Sequence, residues 1–353
     1  MIVFVARFPS MMNEKDGFTQ RIAWIDALVH DVPRIYLDIS LGGNIRRKRI
    51  EIGSATIFRL NLFLHFLAII KIFKKASIVY IHSVYNALRA IPAYWISNTV
   101  TDMHGIVPEE MDVANKQWRA KLFGYIERVA VKKSSIVVFV TNAMKLHFQN
   151  KYKRNNVEDK IIAILPRIDD ERGSLESVLS SRRDSGAVIY AGGIQPWQNI
   201  SLMLSAAARA SNYKFTFLSS DYQKLVQLAA DAKVNQFSSF AVAPKEVATY
   251  YLQSEFGFIL RDSISVNKVA CPTKLVEYFH WGVIPIVLSP DIGDFGEMGF
   301  KYILLDDFVS GKVPNADELN MMRLRNREII DRLNLSCNNE LSALKERLRS
   351  SSK

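Results

Sequence analysis

Cysteine is nearly missing from this chain of 353 residues, which has only Cys271 and Cys337. Two cysteines in so long a chain make no disulfide framework, and a reduced, cytoplasmic compartment is the simpler reading. Long apolar runs are missing too. The most apolar stretch, Leu62–Ile70, is broken by His65 and followed by Lys71, whereas a membrane span needs about 20 apolar residues. The opening run Met1–Ala6 meets Arg7 with no basic leader and no cleavage site. It reads as a first buried strand rather than a signal peptide. There is no internal repeat, no low-complexity tract and no glycine triplet of the dinucleotide-binding kind. Acid is scarce in one half: residues 1–180 carry 26 Lys and Arg against 17 Asp and Glu, and residues 181–353 carry 20 against 18. The basic half suits an anionic partner, either a membrane surface or a nucleic acid.

What is present is an alternation of short β-branched runs with longer helical stretches. One series of strand candidates is Ile2–Ala6, Arg34–Ile39, Ser77–His82, Ser135–Thr141 and Lys160–Leu165. The second is Ala187–Ala191, Lys214–Ser219, Gln236–Ala241, Phe256–Leu260, Val283–Leu288 and Tyr302–Leu305. Nearly continuous apolar strands are those covered by helices on both faces, so the class is α/β with parallel sheets. The polar, charged stretch 166–186 predicts a linker. It separates a domain over 1–165 from one over 187–329, each doubly wound. The chain from about Asn315 to Arg349 is helical by pattern, and Ser350–Lys353 is expected to fray.

Four segments carry candidate chemistry. Gly17 opens a helix after the first strand, where free backbone amides and the helix dipole can meet a phosphate; taken alone it reads more simply as an ordinary glycine turn with a helix cap, since one glycine is no fingerprint. Asp102, His104 and Gly105 follow an apolar run, so that His104 could reach a phosphate or sugar hydroxyl with Asp102 orienting it, unless this is only a surface turn. Gly192 and Gly193 end a buried strand, the place where an open α/β sheet binds ligands. Trp197 follows them and either stacks on a base or packs on the core. The fourth segment runs from Cys271 to Pro285. Pro272 starts a helix, Thr273 and Lys274 stand at its mouth, and Glu277 shares a face with Lys274. A cation among free amides suits a diphosphate, and the carboxylate one turn on suits ribose hydroxyls; a plain Lys–Glu surface pair is the alternative.

In this order and spacing the segments resemble family-four retaining glycosyltransferases of the GT-B fold. The residues that carry the resemblance are Gly17, Asp102-x-His104-Gly105, Tyr190-Ala-Gly-Gly193 with Trp197, and Pro272-Thr-Lys274-Leu-Val-Glu277-Tyr with Gly282 and Pro285. The resemblance implies two Rossmann-like domains facing across a cleft. The first binds the acceptor, the second binds the nucleotide sugar, and a C-terminal helix, about 330–353, packs back on the first. It also implies that Glu277 holds the ribose, that Lys274 and Thr273 face the phosphates, and that His104 stands by the donor sugar or its phosphate. Neither cofactor nor metal is implied, because cationic side chains neutralise the leaving diphosphate. The chain departs from the family pattern at Val269, where many members have an acid, and at Gln195 and Gln198, where many have a cation. Arg261 is the candidate for the missing charge.

The implied reaction transfers a sugar, with retention, to a glycan or polyprenyl-linked saccharide, as in surface polysaccharide synthesis. For the basic half the expectation is an anionic membrane, with the chain peripheral on the inner face of the plasma membrane. Arg46, Arg47, Lys48, Arg49, Lys71, Lys74 and Lys75 flank Ile57–Phe73, which reads as one helix, either interfacial or buried. A nucleic-acid-binding protein is the rival reading, weakened because the basic cluster has no interleaved aromatics. A nucleotide-sugar epimerase of the same fold and a two-domain dehydrogenase are the others, and the missing glycine triplet counts against the latter.

Overall fold

A computed structural model describes residues 1–9, 17–163, 165, 173–181 and 183–350. Asp16, the 166–172 part of the expected linker, position 182 and the end of the chain from 351 lie outside the described residues. The chain divides into two compact units: Met1–Ile164 with Leu335–Lys353, and Leu165–Asn334.

The first unit is built on eight strands: β1 (Ile2–Val5), β2 (Arg34–Ser40), β3 (Lys48–Ile52), β4 (Ala55–Asn61), β5 (Ile78–His82), β6 (Thr99–Asp102), β7 (Ile136–Phe139) and β8 (Lys160–Ile161). They lie in the order β3-β4-β2-β1-β5-β6-β7-β8. All neighbours pair in parallel except β3 with β4. Strands β1, β5, β6 and β7 are buried along their whole length, as parallel strands under two helical layers must be. The core joins Ile2, Phe4, Tyr36, Ile78, Tyr80 and Val138 to Leu341, Leu344 and Leu348 of the C-terminal helix Ala316–Ser350.

The second unit has six strands: β9 (Ala187–Ala191), β10 (Lys214–Leu218), β11 (Phe237–Phe240), β12 (Phe256–Ile259), β13 (Ile284–Val287) and β14 (Ile303–Leu304). Their order is β11-β10-β9-β12-β13-β14, and every pair is parallel. Phe215, Phe217, Phe256, Phe258, Leu260 and Phe308 fill the core.

Two local expectations are corrected. Ile57–Phe73 is not one helix: it is strand β4, a turn, and a helix from Phe66 to Lys75. The break is made by Asn61, whose buried side-chain oxygen accepts from the backbone N–H groups of Phe63 and Leu64 at 3.0 and 3.1 Å. Asp102, read with His104 and Gly105 as part of one loop or surface turn, is instead the last residue of the buried strand Thr99–Asp102. Thr101 is compatible with burial because its Oγ1 bonds the hydroxyls of Tyr94 and Ser134 at 2.9 and 2.7 Å.

Candidate functional site

In each unit the strand order reverses between two adjacent parallel strands, β1 and β5 in the first and β9 and β12 in the second. Connections leave such a pair in opposite directions and open a crevice at its carboxyl end.

In the second unit, Gly192 and Gly193 follow β9, Arg261 follows β12, and the helix Thr273–Trp281 brings in Lys274. That helix begins behind Pro272 and ends at Gly282, whose φ of 67° is the left-handed cap that glycine adopts freely. Thr273 is its first residue and is partly buried; Trp197 sits, also partly buried, in the short helical turn Pro196–Gln198. Lys274 lies 4.1 Å above the Tyr190 ring and donates to Gln198 Oε1 at 3.3 Å. A Cβ on Gly192 would come within 2.6 Å of Lys274 Nζ, so glycine is what lets the cation lie against this loop. Arg261 is partly buried; its Nη1 donates to Asn267 Oδ1 at 3.2 Å, while its Nε has no partner among the described residues. Burial, and Arg261 nearby, push Lys274 down to about 7, against the pull of Glu277. Burial pushes Arg261 down to about 10. Glu277 is raised by burial, although it accepts from Tyr251 Oη at 2.7 Å and faces Lys274. Two partly desolvated cations, only one of which faces a carboxylate, form a site short of negative charge.

In the first unit, the helix Gly17–Ala27 starts at Gly17 and buries Arg21 one turn later. Arg21 grips Asp102 through two bonds of 3.0 and 3.1 Å and donates to the carbonyls of Ile162 and Ala163. Tyr80 Oη adds a bond to Asp102 at 2.9 Å. Burial alone would raise the Asp102 carboxyl, but Arg21 and His104 hold it well below the ordinary range. His82 and His104 complete the group, with nitrogens 3.5 and 3.6 Å from Asp102 Oδ2 and 3.4 Å from one another. Burial pushes His82 down to about 4. These three could surround a metal ion by spacing alone. The chemistry does not fit one: Arg21 already neutralises Asp102, and a dication beside a buried guanidinium would be repelled. His104 keeps an unpartnered Nδ1 among the described residues.

A second group stands at the carboxyl ends of β1, β2 and β4. Asp38 is approached by Arg7 at 4.0 Å and by Arg59 at 3.6 Å. Arg89 lies within electrostatic reach of Asp38 and Arg7, and its buried Nε has no partner among the described residues. Three guanidinium groups thus share one carboxylate.

Sequence reasoning placed Lys274, Glu277, Thr273, Arg261, Gly192 and Gly193 together in one unit, and the structure gathers them at one strand switch. It places Asp102, His104 and the start of the helix at Gly17 in the other unit. Arg21, Tyr80 and His82 were missed as partners of Asp102. The one available signal was His82 closing an apolar run, which marks a polar group at a strand's carboxyl end.

No protein-family model matches the chain, and no curated protein matches it. Solved structures do. Sucrose-phosphate synthase from Thermosynechococcus elongatus superposes with a TM-score of 0.72 at 10% identity, covering 99% of each chain. HepE from Anabaena, in complex with UDP and glucose, gives 0.68 at 12% identity over 97% of this chain and 98% of its own. An α,α-trehalose-phosphate synthase (UDP-forming) from Burkholderia vietnamiensis gives 0.66 at 11% identity over 99% and 98%. At this identity the likeness is one of fold, and the fold of this chain is that of the GT-B glycosyltransferases.

Proposed function

We propose that the chain is a glycosyltransferase that moves a sugar from a nucleotide-diphosphate donor to a saccharide acceptor with retention of configuration. The observation that carries this is the pair Lys274, buried, and Arg261, partly buried, at the β9/β12 switch, with Glu277 one turn along the helix from Lys274. A diphosphate supplies the negative charge they lack, and Glu277 accepts from the ribose hydroxyls. HepE, a fold neighbour, was solved with UDP and glucose, which supports a uridine nucleotide as donor.

In the proposed step the acceptor oxygen bonds to the anomeric carbon as the bond from that carbon to the phosphate oxygen breaks. The departing phosphate oxygen takes the acceptor's proton on the same face, so no protein base is needed. Lys274 and Arg261 stabilise the charge that develops on the diphosphate. Because side chains supply that charge, we expect no divalent metal to be required. We assign His104, whose Nδ1 has no partner among the described residues, to the donor sugar or its phosphate. The acceptor reading gains from Arg7, Arg59 and Arg89 around Asp38, which suit a saccharide linked to phosphate or diphosphate, as on a polyprenyl carrier. The basic surplus supports a site at the inner face of the plasma membrane, in surface polysaccharide synthesis.

The test is calorimetric titration of a panel of nucleoside diphosphates. One of them should bind, and Glu277→Ala should weaken it by about 1.5–3 kcal/mol. Equal affinity in the variant would remove Glu277 from the site. Anomeric NMR of the product then decides retention, and chelator-resistant turnover decides the metal question.

A further inference from the structure

Between β4 and the helix Phe66–Lys75 the chain holds large apolar side chains out into solvent. Phe63 is 71% exposed, Leu64 65%, Phe66 44% and Leu67 75%. Single exposed apolar residues need no explanation, but four in five positions do. The tip is not frayed. Besides binding Phe63 and Leu64, Asn61 donates from Nδ2 to the carbonyls of Leu41 and Gly43 at 3.1 and 2.9 Å. Its own N–H is held by His65 Nδ1 at 2.9 Å. A buried residue thus spends every polar group of its side chain on fixing the turn.

We propose that this tip inserts into an anionic lipid bilayer. The helix that follows turns only Ile69 and Phe73 into the core, and Lys71, Lys74 and Lys75 are exposed. At 1.5 Å per residue those lysines lie about 6–12 Å up the helix from Leu67. Interfacial segments bury their apolar face about 5–10 Å deep. Insertion of the tip therefore brings the lysines level with the headgroups, where each cation meets an anionic lipid. Across Leu41–Lys75 the only acid is Glu51, so this stretch carries a strong net positive charge toward an anionic surface. The tip also continues directly from the end of β4, two residues past Arg59. A phosphate-linked acceptor at the bilayer surface would then lie beside the Arg7, Arg59 and Arg89 group. The inference moves the membrane contact from the Arg46–Arg49 cluster, which begins the separate strand β3, to an apolar element that sequence alone hid inside one long helix.

The experiment is co-sedimentation of the whole chain with vesicles of phosphatidylcholine alone and with about a third phosphatidylglycerol. It needs no donor or acceptor, so its failure is separate from failure of the transferase reading. Binding to the anionic vesicles is expected. The double variant Phe63→Ser, Leu67→Ser should bind about a hundredfold more weakly with unchanged thermal unfolding. Lys71→Ser with Lys74→Ser should remove most of the lipid-charge dependence. The native cysteines are buried, so Leu64→Cys can carry an environment-sensitive fluorophore, whose emission should shift to the blue on anionic vesicles. Wild-type binding to neither vesicle, equal binding by the double variant, or a fluorophore that stays in water would each overturn the proposal. So would a dimer in solution that the double variant dissolves, since the tip would then be a contact between copies.

Discussion

Lys274 is a cation held where a cation is costly. Burial takes it to about 7, so near neutral pH it is only partly protonated until an anion joins it. Binding of a nucleoside diphosphate raises it again and takes up a proton. Affinity should therefore be full below pH 7 and fall as pH rises through the Lys274 range toward that of the complex. At pH 8, titrations in buffers of different ionisation enthalpy should show net proton uptake, and Lys274→Met should abolish it. Asp102 makes the opposite case. Its charge is stabilised in the folded state by Arg21, and Asp102→Asn leaves that guanidinium buried without its counter-charge, at a cost of about 3–5 kcal/mol. Because the folded carboxyl is depressed, the pair's contribution is complete above the ordinary carboxylate range and lost as pH falls through the folded value. Denaturant unfolding of the two proteins at pH 7 and pH 3 should show the gap narrowing at low pH.

Among the elements, those read most easily from sequence are the strands that helices cover on both faces. Phe256–Ile259 and Ile284–Val287 are apolar without interruption, as are Ile2–Val5 and Ile136–Phe139. Three strands escaped. Strand β6 escaped because Thr99 and Thr101 look like loop residues, and the hydroxyl partners that let Thr101 be buried lie outside the strand. Strand β3 is exposed along its length, so no burial pattern marks it, and β4 merged into the following helix because Asn61 signals a turn only through what its side chain binds. The site divides in the same way. Lys274 and Glu277 share one helix, and local spacing reveals them. Arg21 and Asp102 are 81 positions apart, and nothing local joins them. The C-terminal helix gives an element-scale prediction. Leu344 is fully buried in the first unit's core, so Leu344→Ala should cost about 2–5 kcal/mol in that unit. Urea unfolding followed by fluorescence or exchange at Ile136 and Ile162 should register it.

At the scale of the whole molecule, the chain passes from the first unit to the second near Ile164 and returns near Asn334. The second unit is thus an insertion within the first. A break between Leu165 and Gly173 should not separate the halves, because the later fragment carries Leu341, Leu344 and Leu348, which the earlier fragment's core requires. Residues 1–172 and 173–353, produced together with a tag on one, should co-purify and bind nucleotide, and 1–172 produced alone should aggregate. The same arrangement sets an order on the ribosome. The unit whose synthesis begins first has to wait for residues made more than 170 positions later before its sheet is covered. At about 5–20 residues per second that wait is roughly ten to forty seconds. Through it the neighbouring strands β7 and β8 lack the leucines that shield them, while the inserted unit is itself being made and is complete in sequence only at Asn334, just before those leucines follow. A nascent chain of this design depends on chaperone cover at its beginning, and its folding is finished from its end.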